Sequence, residues 1–321
     1  MMEKNKLDSS QIIGFLFLIA AFVSLYMFQP VVEEPVENND TNTEERVSVE
    51  LQPQILDNES LNYRNEFKVL ENEFISIENN DVEYTFSTKG AQISKTILKN
   101  YNGLSGNEIE IINENQNFYF DIVGNIIKNI DTSSMFFSYS LNESNSGKEI
   151  NFSYSLDSGE SIFFKYFLPA EGFLLKLNVF TSDYNRLINE NSEVNLYWNF
   201  DSFKNSKSQD YENRYTYLNY QDADEDVRDL SAYSDDDDVD SAKWISYSQH
   251  FFNSILIFQD VKDEIQFNSS NLDSENNDRK FLKRFNSKIP VNLNSRGEID
   301  QKFEWYIGPN DYYIIKDYDY Q

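Results

Sequence analysis

From about Glu66 onward, apolar and polar residues alternate with a period of two. Val82, Tyr84 and Phe86 interleave with Glu83, Thr85 and Ser87, and the run stops at Thr88-Lys89-Gly90. Ile162, Phe164, Tyr166 and Leu168 interleave with Phe163, Lys165 and Phe167. Pro169-Ala170-Glu171-Gly172 interrupts that pattern before Phe173, Leu175, Leu177 and Val179 resume it, which predicts a hairpin with a four-residue connection. Further strand-like runs are Ile75–Ile77, Ala91–Leu98, Phe118–Ile122, Ile150–Tyr154, Val194–Phe200, Trp244–Phe252, Ser254–Phe258 and Phe303–Ile307. Successive strand residues point to opposite faces, so each run has a face to bury. Many short strands with no amphipathic helices between them predict an antiparallel β-sandwich, not a βαβ sheet. The chain has only 10 Gly, so its Asn-rich connections are expected to turn on Asn side chains.

The first residues follow another pattern. Residues 9–32 carry no charge, and the stretch from Ile12 to Phe28 is almost continuously apolar. Its apolar positions are Ile12, Ile13, Gly14, Phe15, Leu16, Phe17, Leu18, Ile19, Phe22, Val23, Leu25, Tyr26 and Phe28. About 20 helical residues at ~1.5 Å each span a hydrocarbon core of ~30 Å. Lys4 and Lys6 precede the run and Glu33, Glu34, Glu37 and Asp40 follow it, so the amino terminus is expected in the cytoplasm and the remainder outside. The run exceeds the usual signal-peptide core and no A-x-A-like site precedes Gln29-Pro30, which favours an uncleaved signal-anchor.

Residues 31–60 hold nine acids and one Arg, a segment too polar to bury a core and expected to act as a self-repelling tether. The resulting division is 1–8 cytoplasmic, 9–30 transmembrane helix, 31–62 acidic tether and 63–321 periplasmic β-sandwich.

Charge and composition then narrow the function. Asp+Glu outnumber Lys+Arg 55 to 27, a net charge of −28, which opposes binding to phosphate backbones and so excludes nucleic acid as a partner. A second acidic block, Asp222–Asp240, contains ten acids and one Arg. Its run Asp235–Asp238 lacks the Gly and terminal Glu of a calcium loop, so a solvated surface loop is expected and no metal site. There is no Cys, which removes thiol chemistry, disulfides and Cys-ligated metals. The single imidazole, His250, lies in the aromatic run Trp244–Phe252 and is expected to be a packed core or sheet residue. Ser246 and Ser248 beside it supply no nucleophile elbow or oxyanion hole. No phosphate-binding glycine loop or metalloprotease motif occurs. No catalytic residue, cofactor or enzyme activity is therefore expected.

Several stretches together resemble the YidC membrane insertase family, in its Gram-negative form. These are Met2-Glu3-Lys4-Asn5-Lys6 with Ile12–Phe15 and Phe28-Gln29-Pro30; Tyr84–Ile93 with Gly90, followed by Leu98-Lys99-Asn100-Tyr101; Trp244–Phe252 with Gln249; and Tyr306-Ile307-Gly308-Pro309. The family-motif residues carried by the resemblance are Gly90, Tyr101, Trp244, Gln249, Phe252, Gly308 and Pro309. Gly90 also reads locally as a positive-φ turn, and Gly308-Pro309 as a strand end. The resemblance implies a galactose-mutarotase-like super-sandwich in the bacterial inner membrane's periplasmic space. It also implies work as part of an insertase and foldase for nascent membrane-protein clients, alone or with the Sec translocon and SecDF-type accessory proteins. No second apolar run follows the anchor, so an amino-terminal portion of a longer protein is expected, without the insertase helices. Mutarotase chemistry resembles a Glu base working with two His residues, which the single His opposes. The alternative readings are a membrane-tethered periplasmic carbohydrate-binding or mutarotase-like protein, and a structural envelope protein. For sugar binding, Trp198, Trp244 or Trp305 are the candidate stacking faces, with core burial the expectation for all three.

Overall fold

A computed structural model describes residues 71–103, 106–124, 129–188, 192–230, 235–272 and 280–318. The apolar run Ile12–Phe28 and the tether 31–62 lie outside these residues. Among the described residues no helix is long and apolar enough to cross a membrane.

Two antiparallel sheets account for the strands among the described residues. The smaller follows chain order: β1 (Phe74–Glu78), β2 (Val82–Ser87), β3 (Gln92–Asn102) and β4 (Glu108–Asn113). The larger has thirteen strands. One arm runs from β7 (Ser138–Ser144) through β8 (Gly147–Ser155), β9 (Ser161–Pro169), β10 (Leu174–Ser182) and β17 (Asp300–Pro309) to β15 (Phe252–Asn271). The other continues from β15 through β16 (Phe281–Pro290), β11 (Glu193–Phe203) and β5 (Gln116–Val123) to β6 (Ile130–Asp131). Beside β15 lies β14 (Asp235–Ser248), which pairs with β12 (Tyr217–Gln221), and β12 pairs with β13 (Val227–Asp229). The 20-residue β15 joins the two arms, because Phe252–Phe258 pair with β17 and Gln266–Asn271 pair with β16.

Ring contacts show what the sheets bury. Phe86 of the small sheet packs on Tyr166 at 4.6 Å and on Phe152 at 5.9 Å. Two buried hydroxyls tie the sheets: Tyr166 donates to the Ala91 carbonyl (2.8 Å) and Tyr84 to that of Phe173 (3.3 Å). The large sheet also curls on itself, since Phe118 of β5 meets Trp305 of β17 at 4.8 Å and Phe120 meets Phe164 of β9 at 5.8 Å. Trp198 and Trp305 are both 0% exposed. Their ring N–H groups donate to Gln116 (3.4 Å) and Ser254 (3.0 Å), so neither indole is buried with an unmet donor. Burial forces the Tyr84, Tyr166 and Tyr247 hydroxyls far above the ordinary phenol range, so they stay neutral donors.

Asn side chains do turn the connections. Asn79 Oδ1 accepts from the main-chain N–H groups of Asp81 and Val82 (both 2.9 Å) and closes the β1–β2 hairpin. Asn294 Oδ1 does the same for Arg296 and Glu298.

Three expectations are corrected. The block Asp222–Asp240 contains strands: β13, and the start of β14, where Asp235–Asp238 pair with Gln266–Ser269. Main-chain pairing with β15 and the buried Val239 and Ile265 hold this ribbon, while the Asp236–Asp238 side chains stay in water and avoid the desolvation that would oppose strand formation. The run Trp244–Phe252 is not one strand, because β14 ends at Ser248 and β15 begins at Phe252. The Gln249 N–H donates back to the Phe252 carbonyl (2.8 Å) and closes the turn between them. His250 therefore sits half-buried in a turn, not in a strand or the core.

Candidate functional site

A concavity of about 1360 Å³ lies over the outer face of strands β8, β9, β10, β17, β15, β14 and β12. Period-two geometry determines its floor, because residues next to core positions must face away from the core. Thus Phe164 and Tyr166 point inward while Lys165 and Phe167 line the cleft, and Leu175 and Leu177 flank the exposed Lys176.

Register sets these outward residues in rows across the strands. One row reads Glu149, Phe167, Lys176, Glu304, Ile257, Trp244 and Gln221. A second, on the side of β17's start, reads Asn151, Lys165, Asn178 and Lys302. On the opposite side, Tyr306, Ile255, Ser246 and Asn219 form a third. Helix α2 (Tyr312–Ile315) and the turn after it supply Tyr312, Ile315, Lys316 and Tyr318 to the lining. Helix α2 is N-capped by Asp311, which accepts from the Tyr313 N–H (2.8 Å).

The electrostatics differ from those of the whole chain. Five lysines (Lys165, Lys176, Lys243, Lys302 and Lys316) face two glutamates (Glu149 and Glu304) in the lining. Lys176 approaches Glu304 at 3.7 Å, and Lys243 reaches outward to Glu225 at 3.1 Å. Lys165 and Lys302 form no ion pair among the described residues. Lys316 lies over the rings of Tyr313 (4.9 Å) and Tyr312 (5.7 Å). A hydrogen bond from Asn151, with support from Asn142 and the nearby Lys165 charge, holds the Glu149 carboxyl below its ordinary range. Burial raises the Tyr306 and Tyr318 hydroxyls, so both stay protonated at neutral pH. In the second row, the carbonyl oxygens Asn151 Oδ1 and Asn178 Oδ1 are buried and accept no hydrogen bond among the described residues.

Of the residues singled out from the sequence, five converge at one end of the cleft. Tyr101 meets Phe252 edge-on at 6.2 Å and Phe173 at 6.5 Å. Phe252 is in register with Pro309, and Asn310 donates to the carbonyls of Gln249 (3.0 Å) and Phe251 (2.8 Å). At Gly308 an added Cβ would lie 2.8 Å from Phe173 Cγ and 2.9 Å from Tyr306 Cζ, so the strand end needs glycine for close approach. Gly90 stands apart at φ +81° in the β2–β3 connection, donating to the Met135 carbonyl (2.8 Å). Trp244 also stands apart, half-buried on the cleft floor. Core burial, the expectation for all three tryptophans, holds for Trp198 and Trp305 and fails for Trp244, because its position in the register faces outward.

An aromatic surface adjoins this end. His250 contacts Phe251 at 4.3 Å, Tyr215 at 4.8 Å and Tyr211 at 5.4 Å. Tyr211 belongs to the short helix α1 (Gln209–Asn213), whose buried Glu212 accepts from the Asn205 and Ser206 N–H groups and pins the preceding loop. Five of the seven exposed aromatic side chains among the described residues lie here: Tyr211, Tyr215, Phe251, Tyr312 and Tyr313.

Among the described residues no three His, Asp or Glu side chains come together to hold a metal ion. What the cleft presents chemically is binding: an apolar strip, cations and the acceptor of Asn178. Sequence reasoning missed Lys165, Lys302, Asn178, Ile255 and Ile257. The available signal was the aromatic content of the outward positions Phe163, Phe167 and Phe180, which a plain solvent face does not carry.

The profile of the YidC periplasmic domain matches residues 74–320. A protein named Membrane protein insertase YidC from Parabacteroides distasonis is 25% identical over 77% of this chain and 39% of its own length. Its namesake in Bacteroides fragilis is 26% identical over 97% of this chain and 52% of its own length. The chain thus spans about half, or less, of these relatives. Among solved structures, a galactose mutarotase related enzyme from Lactobacillus acidophilus aligns with a TM-score of 0.45 and 12% identity, covering 73% of this chain and 97% of its own. An aldose 1-epimerase homologue from Escherichia coli K12 aligns at 0.42 and 8%, covering 74% of this chain and 99% of its own. With its whole strand region inside the matched span, this chain belongs to the YidC periplasmic domain family.

Proposed function

We propose that the chain is the periplasmic module of a membrane protein insertase. Its amino-terminal apolar run holds it at the bacterial inner membrane, with the amino terminus cytoplasmic and the β-sandwich periplasmic. The parent protein inserts and helps fold membrane-protein clients, alone or with the Sec translocon. This module is non-enzymatic and docks partner proteins of the SecDF type. The observation that carries the docking role is the exposed aromatic surface around Phe251 and Tyr313. Tyrosines and phenylalanines bury large area at low entropic cost and are enriched where proteins meet.

The absence of native Cys makes the test direct. Single cysteines replacing Phe251, Tyr313 or the exposed Phe74 of β1 are labelled with a photo-crosslinker in the full chain in its native membrane. Adducts with Sec accessory proteins are expected from the first two positions. Equal yields from Phe74, or no adducts at all, would remove the docking assignment.

A further inference from the structure

We propose that the lysine-lined cleft binds extended polypeptide segments bearing acidic side chains. The inference rests on the cleft alone and does not depend on the docking role of the aromatic end.

Size is the first argument. At 1360 Å³ the cleft exceeds the ~300–1,000 Å³ typical of small-molecule pockets. Seven strands spaced ~4.8 Å apart make a floor roughly 29 Å wide, the length of about nine residues of extended chain at ~3.3 Å each.

Charge is the second. A chain of net charge −28 places five lysines against two glutamates in one concavity. Lys165 and Lys302 flank Asn178 in the cross-strand row, and neither is neutralised by an ion pair among the described residues. A concave wall with an excess of positive charge on a negative body focuses ligands of negative charge.

Hydrogen bonding points the same way. The backbones of the inner floor strands are paired on both sides, so a ligand meets side chains and not a sheet edge. Asn178 Oδ1, in the cleft lining, is a buried acceptor with no donor among the described residues, a state that native structures rarely leave unmet. A main-chain N–H group of an extended segment supplies such a donor, its carboxylates suit Lys165 and Lys302, and its apolar side chains suit Phe167, Ile257 and Trp244.

The test uses the full chain in neutral-lipid nanodiscs and fluorescent peptides of about nine residues, long enough to cross the floor. One peptide alternates Glu with Leu, a second replaces Glu by Lys, and oligogalacturonate serves as an anionic carbohydrate. Saturable binding of the Glu peptide is expected. It should weaken about tenfold when Lys165→Gln and Lys302→Gln are combined, and weaken with added salt. Lys207→Gln, outside the cleft, should leave it unchanged. If the double variant loses its near-ultraviolet circular dichroism, Lys302→Gln alone, at an exposed position, provides the same comparison in the same direction. Equal binding of the Glu and Lys peptides, or wild-type affinity in the lysine variants, overturns the proposal. Saturation by oligogalacturonate without peptide binding overturns it in favour of an anionic carbohydrate site.

Discussion

The two faces of strands β9, β10 and β17 are made from alternate residues of the same chain and do opposite work. Inward, Phe164, Tyr166, Leu175, Leu177 and Trp305 are packed and their polar atoms are paired. Outward, Lys165 and Lys302 form no ion pair and Asn178 Oδ1 accepts no hydrogen bond among the described residues, while Lys176 is paired only with Glu304. The inner face spends its side chains on stability, whereas the outer face leaves interaction capacity unused within the fold. Aromatic content alone does not separate them, since Phe163, Phe167 and Phe180 are outward. What separates them is whether a neighbouring layer completes their contacts.

The sharpest break of this comparison is between two tryptophans. Trp305→Ala should cost about 3–5 kcal/mol in denaturant unfolding of the full chain, since it empties a fully enclosed site. Trp244→Ala should cost less, about 1–3 kcal/mol, because part of its ring is already in solvent. Equal losses would put Trp244 in the core.

Next in size is Gly308→Ala, where the new methyl meets Phe173 and Tyr306 and overpacking should cost about 1–3 kcal/mol. Because α2 and Tyr318 follow this strand end, the same variant should alter tyrosine near-ultraviolet circular dichroism. Unchanged stability would mean that the two rings yield freely.

The smallest expected effect has a pH signature. Asp121 of β5 faces Asp131 of β6, and burial, then the Asp131 charge, raises its carboxyl above the ordinary aspartate range. A folded-state pKa above the unfolded one makes the folded chain hold the proton more tightly. The penalty is therefore absent below the unfolded value and grows as pH rises through the raised one. Asp121→Asn should stabilise the chain by roughly 0.5 kcal/mol near pH 7, discounted for partial exposure, and by nothing near pH 3. A gain of the same size at both pH values would mean that ionisation is not its cause.

Much of the architecture was legible in the linear pattern. Period-two alternation placed β2, the β9–β10 hairpin and their inward residues, because strand geometry turns sequence spacing directly into facing. The turn at Gly90 and the strand end at Gly308-Pro309 were equally local, each set by one or two residues' backbone freedom. The acidic ribbon was not legible. Like-charge runs favour solvated coil by composition, and only a partner strand with Ile265 and Phe267 on its buried side reverses that preference.

The sequence by itself determined which residues share a face in β2, β9 and β10, where the β9–β10 hairpin turns and that the chain has no thiol to use, since these depend on local geometry and composition. The tertiary structure alone decided which outward faces line a cleft, that Asn151, Lys165, Asn178 and Lys302 form one row, and that Trp244 is not core. The physical reason is register. A row across a sheet joins residues from strands up to about 150 positions apart (Asn151 to Lys302), and the pairing that aligns them is a property of the assembled sheet and not of any strand.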